Sequence, residues 1–207
     1  MKNIAVFASG RGSNFKHIYQ NIQQGKIPAI IKCLITDNHK AGALDFAREN
    51  AIPTFTISPQ EFNSSHKFGQ AIMEVLSRFS IDWIVLAGYL KKIPDNVVAV
   101  YSNRILNIHP ALLPAFGGKG MYGSRVHQAV FASGAKISGV TVHLVNTEYD
   151  AGPIVTQRAM EIDDCRTPEE IAAKVLKVEH ILYSEAILKV LTKKFEVRGN
   201  RVEFKNE

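Results

Sequence analysis

The sequence predicts an α/β fold with a doubly wound, mostly parallel sheet and helices on both of its faces. Short apolar runs alternate along the chain with stretches in which apolar residues recur every three or four positions. Continuous apolar runs are typical of parallel strands that are covered on both faces. The alternation therefore indicates successive strand–helix units joined by right-handed crossovers.

The elements can be assigned in order along the chain. The predicted strands are Lys2–Ala8, Ala29–Thr36, Pro53–Ile57, Ile81–Ala87, Arg104–Ile108, Ile137–Val145 and Ile154–Met160. The predicted helices run from an N-cap at Ser13 or Asn14 to Gly25, then over Ala41–Asn50, Ser64–Ser80, Pro94–Tyr101, Ser124–Ala132 and Thr167–Lys193. Thr167 and Glu170 form a capping box at the start of the last helix. We predict one domain over residues 1–193 and a C-terminal hairpin over 194–207, turning at Gly199–Asn200.

Composition narrows the class of protein. The chain has 207 residues and a formal charge of +6, but its lysines and arginines are scattered, so a nucleic-acid-binding stripe is not expected. Cys33 and Cys165 are far apart and form neither a CxxC motif nor a metal-ligand cluster, which favours a reducing compartment. No apolar run reaches the ~18 residues of a membrane span. We expect a cytoplasmic protein without a metal, a nucleic-acid partner or a membrane anchor.

The strand that ends at Asn107-Ile108-His109-Pro110 is the first candidate site. Asn107 and His109 are two positions apart, so they project from the same face of the strand. They lie at its carboxyl end, where open α/β sheets bind ligands. An amide donor beside an imidazole is a suitable catalytic pair, although the same two residues could simply anchor a loop.

The turn after the first strand is a second candidate site. Ser9-Gly10-Arg11-Gly12-Ser13-Asn14 places glycines between a buried strand and a helix N-terminus, an arrangement that binds phosphate. It lacks the third glycine of a dinucleotide fingerprint and the Gly-Lys-Ser/Thr of a P-loop, so a single phosphate fits better than NAD or ATP. A tight turn that binds nothing is the alternative.

Three later segments are expected near the same sheet edge. Gly88 to Ile93 follows a strand and offers Tyr89 and Leu90 as apolar surface for a flat ligand. Four glycines between 117 and 123 predict a mobile loop that closes over a site. Asp150, in a turn of small residues, could approach His109 and raise the pKa of its imidazole, or it could be an ordinary turn aspartate. His143 is interpreted as a structural histidine.

These motifs together carry a family resemblance. Ser-Gly-x-Gly-Ser-Asn, Leu-Ala-Gly-Tyr-Leu-Lys, Asn-Ile-His-Pro-Ala-Leu-Leu-Pro and Asp-Ala-Gly-Pro occur in that order over roughly residues 2–190. The chain resembles the phosphoribosylglycinamide formyltransferases, folate-dependent enzymes of purine synthesis. The resemblance implies the formyltransferase fold and transfer of a formyl group from 10-formyltetrahydrofolate to the primary amine of glycinamide ribonucleotide. A monomer or weak homodimer is expected.

The resemblance also implies roles for individual residues. Asn107 would stabilise the oxyanion, His109 would be the general acid, and Asp150 would hold His109 protonated. The remaining implied sites are the ribonucleotide contacts Gly12, Ser13, Asn14 and Glu179, the folate contacts Leu90, Lys91, Lys92, Ile93, Asn107 and Asp150, and possible contacts at Thr141 and Ser65. Ser65 stands where some members place an arginine. A cis Leu113–Pro114 bond is a further implication.

Three other functions compete with this interpretation. A methionyl-tRNA formyltransferase is expected to need a larger C-terminal domain than the hairpin provides. A formyltetrahydrofolate hydrolase usually carries an N-terminal regulatory domain, whereas the first strand here begins at Lys2. A non-catalytic module that binds a nucleotide phosphate would retain the Gly12 turn but would not need Asn107, His109 and Asp150 together.

Overall fold

A computed structural model describes residues 1–205, and these residues form two compact units, Met1–Leu106 and the chain from Asn107 onward. The predicted fold class, a doubly wound α/β fold with a mostly parallel sheet, is confirmed. The division into 1–193 and 194–207 stays a prediction, and residues 206 and 207 lie outside the described residues. Within that described part, no helix has both the length and the apolar character needed to cross a bilayer.

The first unit alternates strands and helices as the sequence predicts. Its elements are β1 (Lys2–Phe7), α1 (Ser13–Gln23), β2 (Ala29–Thr36), α2 (Ala43–Glu49), β3 (Thr54–Thr56), a 3₁₀ turn (Pro59–Glu61), α3 (Ser65–Arg78), β4 (Trp83–Leu86) and α4 (Asp95–Val100). The strand order is β3-β2-β1-β4, and every pairing in it is parallel. The segments that follow β1, β2 and β4 therefore emerge at one edge of these strands.

The core of the first unit explains why its strands read as unbroken apolar runs. Ile4, Ala5, Val6 and Phe7 of β1 are all fully buried, although neighbouring residues point to opposite faces. Both faces of this strand are consequently covered, as expected for a parallel strand between helix layers.

The second unit starts within β5 (Ile105–His109), whose last three residues belong to it. Its other elements are α5 (Ser124–Ala132), β6 (Ile137–Leu144), β7 (Ile154–Glu161), α6 (Pro168–Thr192), β8 (Phe195–Arg198) and β9 (Arg201–Phe204). β6 and β7 are antiparallel, and the β8–β9 hairpin joins β7 through the pair Ile154–Arg201. The predicted hairpin is confirmed. Of the predicted capping box, the Glu170 N–H donates to Thr167 Oγ1, but the Glu170 carboxylate accepts from the Arg166 N–H, one residue before the N-cap.

The start of α1 differs from the prediction. The N-cap is Gly12, not Ser13 or Asn14, and the helix begins at Ser13. Gly12 has φ +73°, and a Cβ at this position would lie 2.8 Å from the Cβ of Ala43. Only glycine fits this left-handed, crowded position, so the requirement of the turn outweighs the usual preference for a side-chain cap.

Candidate active site

His109, the last residue of β5, lies beside the carboxylate of Asp150. The imidazole is 3% exposed, and its Nδ1 lies 3.6 Å from Oδ2 of Asp150. Pro110 follows immediately and ends the strand, as expected for a residue that has no N–H to donate. The structure therefore brings together an imidazole and an acid that are 41 positions apart in the sequence.

His143, at the carboxyl end of β6, joins Asn107 to the same carboxylate. Its Nδ1–H donates to the carbonyl oxygen of Leu144 at 2.9 Å, and its Nε2 lies 3.0 Å from Asn107 Nδ2. The same Nε2 lies 3.7 Å from Oδ1 of Asp150. Asn107, His109, His143 and Asp150 form one cluster, which we call the imidazole–carboxylate cluster.

The position of Asp150 depends on the glycine two residues after it. A Cβ on Gly152 would lie 1.8 Å from the carbonyl oxygen of Leu144, so only glycine lets the turn pack against the end of β6. The Leu144 N–H then donates to the carbonyl of Pro153 at 2.8 Å. Asp150 itself has φ +53°, a conformation that aspartate tolerates better than most residues. The close packing of this turn brings the carboxylate to His143.

The turn after His109 is held by two side chains from the β6–β7 pair. Thr141 Oγ1 donates to the carbonyl of Ala111 at 2.7 Å and accepts from the Leu113 N–H at 3.0 Å. Gln157 Nε2 donates both to Thr141 Oγ1 and to the Leu113 carbonyl, each at 2.9 Å. The Leu113–Pro114 bond is cis, as the family resemblance implies. Thr141 is fully buried and anchors this turn, so a contact with substrate stays a prediction.

The glycine-rich loop closes over the cluster through backbone groups. His109 Nε2–H donates to the carbonyl of Phe116 at 2.8 Å, and the Gly118 N–H donates to Asp150 Oδ2 at 3.0 Å. Between them, a Cβ on Gly117 would lie 2.4 Å from Leu113 Cδ2 and 3.3 Å from the Cβ of Asp150. In this conformation the Nε2–H of His109 is therefore already hydrogen-bonded to the loop.

Burial and charge act in opposite directions on the two central groups. Burial lowers the pKa of His109, and this outweighs the raising effects of Asp150 and of the Phe116 carbonyl. The sequence-based expectation of a raised pKa is correct for the effect of Asp150 but wrong for the net direction. Burial alone would raise the pKa of Asp150, yet His143, His109 and the Gly118 N–H together hold it below its ordinary value. The cluster thus favours an ionised carboxylate beside a neutral imidazole.

The second candidate site lies in the first unit, at the N-terminus of α1. No side chain among the described residues caps this helix, and its first turn carries no acidic residue. The first intrahelical acceptor is the Gly12 carbonyl, which takes the Lys16 N–H at 2.9 Å. Asn14 is buried and Ser13 half-buried. A helix N-terminus of this kind, formed by a glycine turn, suits an anion such as a phosphate.

The predicted folate segment follows β4 and combines exposed and anchored residues. Leu90 is 44% exposed and Ile93 is buried, so the segment offers one apolar side chain above an anchored one. Lys91 Nζ lies 3.7 Å from Asp37 Oδ2, and Lys92 Nζ lies 3.0 Å from Asp95 Oδ1. The Leu90 N–H already donates to Ser9 Oγ at 2.9 Å. Apolar surface with a fixed backbone suits a flat heterocycle.

Two predicted residues lie on helices, and two contributors to the candidate site were missed. Ser65 is the exposed first residue of α3, and Glu179 is a half-buried residue in the middle of α6. His143 was interpreted as structural, and Gln157 was not singled out. The alternation of Thr141 and His143 on one face of β6, running towards its carboxyl end, was the sequence signal that could have identified His143.

Comparison with known protein families identifies the family of this chain. Residues 2–187 match the family model described as formyl transferase. The chain belongs to the formyl transferase family. Among residues 1–205, no group of three or more histidine, cysteine or acidic side chains is placed to hold a metal ion.

Named relatives cover nearly the whole chain. It is 43% identical over 202 residues to "Phosphoribosylglycinamide formyltransferase, chloroplastic" of Arabidopsis thaliana, covering 97% of this chain and 69% of that protein. It is 39% identical over 191 residues to "Phosphoribosylglycinamide formyltransferase" of Bacillus subtilis, covering 92% and 95% respectively. Among solved structures, glycinamide ribonucleotide transformylase 1 from Symbiobacterium toebii superposes with a TM-score of 0.93 at 32% identity, covering 100% of this chain and 95% of that one.

Proposed function

We propose that this protein transfers a formyl group from 10-formyltetrahydrofolate to the primary amine of glycinamide ribonucleotide, a step of purine biosynthesis. The observation that carries the proposal is the imidazole–carboxylate cluster, in which His109 and Asp150 approach to 3.6 Å and His143 connects Asp150 to Asn107. The formyl transferase family and the names of the relatives support the choice of substrates.

The reaction is a direct acyl transfer. The amine nitrogen attacks the formyl carbon and forms a C–N bond, and the carbonyl electrons move onto the formyl oxygen. Collapse of this tetrahedral intermediate breaks the bond to N10 of the folate. The attacking nitrogen loses one proton and N10 gains one, so the products are the formylated amine and tetrahydrofolate.

The cluster supplies hydrogen-bond donors for the developing negative charge. An N–H of Asn107 donates to the formyl oxygen, and a donor placed there is worth about 2.7–4 kcal/mol in comparable sites. His109 acts as general acid: its protonated imidazole gives a proton to N10 as the bond to the formyl carbon breaks, and the proton that the attacking nitrogen loses restores it, a contribution of about 10²–10⁴-fold. Asp150 orients this ring and stabilises it when it is charged, because its carboxylate faces Nδ1.

The loop contact with His109 has to break before the imidazole can act. In the described conformation Nε2–H donates to the Phe116 carbonyl. We infer that binding of the formyl donor displaces this carbonyl, since one N–H cannot serve two acceptors at full strength. The glycines at 117, 118 and 120 give the loop the backbone freedom for this movement.

Substrate contacts are proposed for individual residues. Gly12, Ser13 and Asn14 bind the ribonucleotide phosphate through the N-terminus of α1, and Glu179 is a further ribonucleotide contact. The proposed folate contacts are Leu90, Lys91, Lys92, Ile93, Asn107 and Asp150. Thr141 and Ser65 are retained only as possible contacts.

A product-resolved assay tests this function. Purified protein is mixed with glycinamide ribonucleotide and 10-formyltetrahydrofolate, deformylated folate is followed by absorbance, and formylated ribonucleotide and formate are quantified from the same samples. We expect one formylated ribonucleotide per deformylated folate and no turnover when the ribonucleotide is omitted. Formate released without the ribonucleotide would instead establish a hydrolase, and unchanged folate would reject both enzymes.

Compartment and assembly are part of the proposal. Cys33 is buried with a free thiol, whose pKa burial raises to about 12, and Cys165 is also a free thiol. Unpaired cysteines accord with a reducing, cytoplasmic compartment. A monomer or weak homodimer stays a prediction, which sedimentation at two protein concentrations checks.

A further inference from the structure

Ser9, two residues after the end of β1, is hydrogen-bonded to two other segments of the first unit. It is 6% exposed, and its N–H donates to the Gly88 carbonyl at 3.0 Å, while its own carbonyl accepts from Asn38 Nδ2 at 3.1 Å. Its hydroxyl donates to Asp37 Oδ1 and accepts from the Leu90 N–H at 2.9 Å. Every polar group of this one residue is used to tie the segments after β1, β2 and β4 together.

Asp37 determines which way the Ser9 hydroxyl points. A hydroxyl has one proton, and the carboxylate takes it, so a lone pair of Ser9 Oγ remains for the Leu90 N–H. The Asp37 side chain is only 8% exposed, and its second oxygen lies 3.7 Å from Lys91 Nζ. Burying a carboxylate is costly without such partners, which gives this arrangement a strong preference over others.

The two ends of this connection carry the proposed substrate contacts. Ser9 precedes Gly12 by three residues, in the same turn as the proposed phosphate contacts. Leu90 and Lys91, which Ser9 and Asp37 hold, begin the segment assigned to the folate. We propose that Ser9 and Asp37 are positioning residues that fix the Leu90–Ile93 segment relative to the Gly12 turn, and so set the affinity for the formyl donor. This inference rests on the proposed function.

Ser9→Ala tests the inference most sharply. The variant removes the acceptor of the Leu90 N–H, so hydrogen exchange at the Leu90 amide should accelerate about 10-fold or more while the Val85 amide in β4 is unchanged. The KM for 10-formyltetrahydrofolate should rise about 10-fold, with the KM for the ribonucleotide and kcat changed less than about 2-fold. Ser77→Ala, an exposed serine on α3, is the matched control and should resemble the unaltered protein.

Asp37→Asn provides the second variant, and the readout if Ser9→Ala fails to fold. Its amide oxygen can still accept from Ser9, so the Leu90 amide should stay protected, whereas Asp37→Ala should accelerate its exchange as Ser9→Ala does. An unchanged Leu90 exchange rate in both alanine variants, or an equal rise in both KM values, would overturn the inference. If the unaltered protein transfers no formyl group, the proposed function fails, but the exchange measurement still decides whether the contact exists.

Discussion

At Gly12 the chain forms its candidate site from backbone geometry, whereas around Asp150 it forms one from four side chains linked in series. The Gly12 turn depends on a left-handed glycine packed against Ala43, and no side chain of the described residues caps α1. In the imidazole–carboxylate cluster, Asn107 bonds to His143, Asp150 lies beside both His143 and His109, and the loop adds two backbone groups. The first arrangement can bind an anion as it stands. In the second, the Nε2–H of His109 must leave the Phe116 carbonyl before it can bond to substrate.

Replacing Asp150 tests the second arrangement and should have the largest effect. Asp150→Asn keeps the shape and tolerates the positive φ, but it removes the charge that faces His109 and His143. We expect kcat to fall about 10²–10⁴-fold while the ribonucleotide still binds. Steady-state formyl transfer and calorimetric titration measure the two quantities. Glu148→Gln, an exposed neighbour, is the control, and near-normal turnover of Asp150→Asn would reject the assigned role.

His143 should show the next largest effect. His143→Phe retains a ring but removes the nitrogen that bonds to Asn107, so a half-buried amide loses its partner. We expect kcat to fall about 10–100-fold with little change in either KM. His143→Gln can still bond to Asn107 and should recover part of the loss. Equal kcat values for the two variants would show that only the volume of the side chain matters.

At the Gly12 turn, substitution should weaken binding rather than chemistry. Gly12→Ala forces a Cβ against Ala43 at an unfavourable φ, whereas a Cβ on Gly10 of the same turn meets no atom within 4 Å. We expect the KM for the ribonucleotide to rise about 10-fold or more in Gly12→Ala, with kcat nearly unchanged. Gly10→Ala should leave both constants near their original values. A large effect of both substitutions on kcat would contradict the contrast.

The smallest expected effect is a pH dependence of stability. Burial and the nearby His109 lower the pKa of His127 below its ordinary 6.5, and Nδ1 of this buried ring has no partner within residues 1–205. The unfolded chain therefore takes up this proton at a higher pH than the folded chain, and stability decreases as the pH falls below about 6.5. His127→Leu should reduce the loss of stability between pH 7 and pH 5 in urea unfolding. His66→Gln, an exposed histidine, serves as the control, and identical pH profiles for His127→Leu and the unaltered protein would refute the explanation.

Elements governed by local pattern were predictable from the sequence. β2 and α5 have the predicted bounds, because an apolar run and a helical stripe decide them locally. The predicted N-cap of α1 was wrong, because packing against Ala43 requires glycine at position 12. Asn107, His109 and Asp150 could be proposed from their motifs.

The remaining parts of the candidate site depend on tertiary contacts. His143 faces Asp150 only because Gly152 lets its turn pack on the end of β6. The loop contact with His109 is made by a carbonyl group, which every residue has, so no residue type at position 116 could reveal it. Sequence patterns identify which side chains can react, but backbone contacts between distant turns are visible only in the fold.

The central claim is that the imidazole–carboxylate cluster acts as one unit, and a double-mutant cycle tests it most directly. The kcat for formyl transfer is measured for Asn107→Ala, Asp150→Asn and the double variant. If His143 and His109 couple the two residues, the double variant should be about as slow as the slower single variant. Losses that multiply fully in the double variant would show that Asn107 and Asp150 act independently, and would contradict the account.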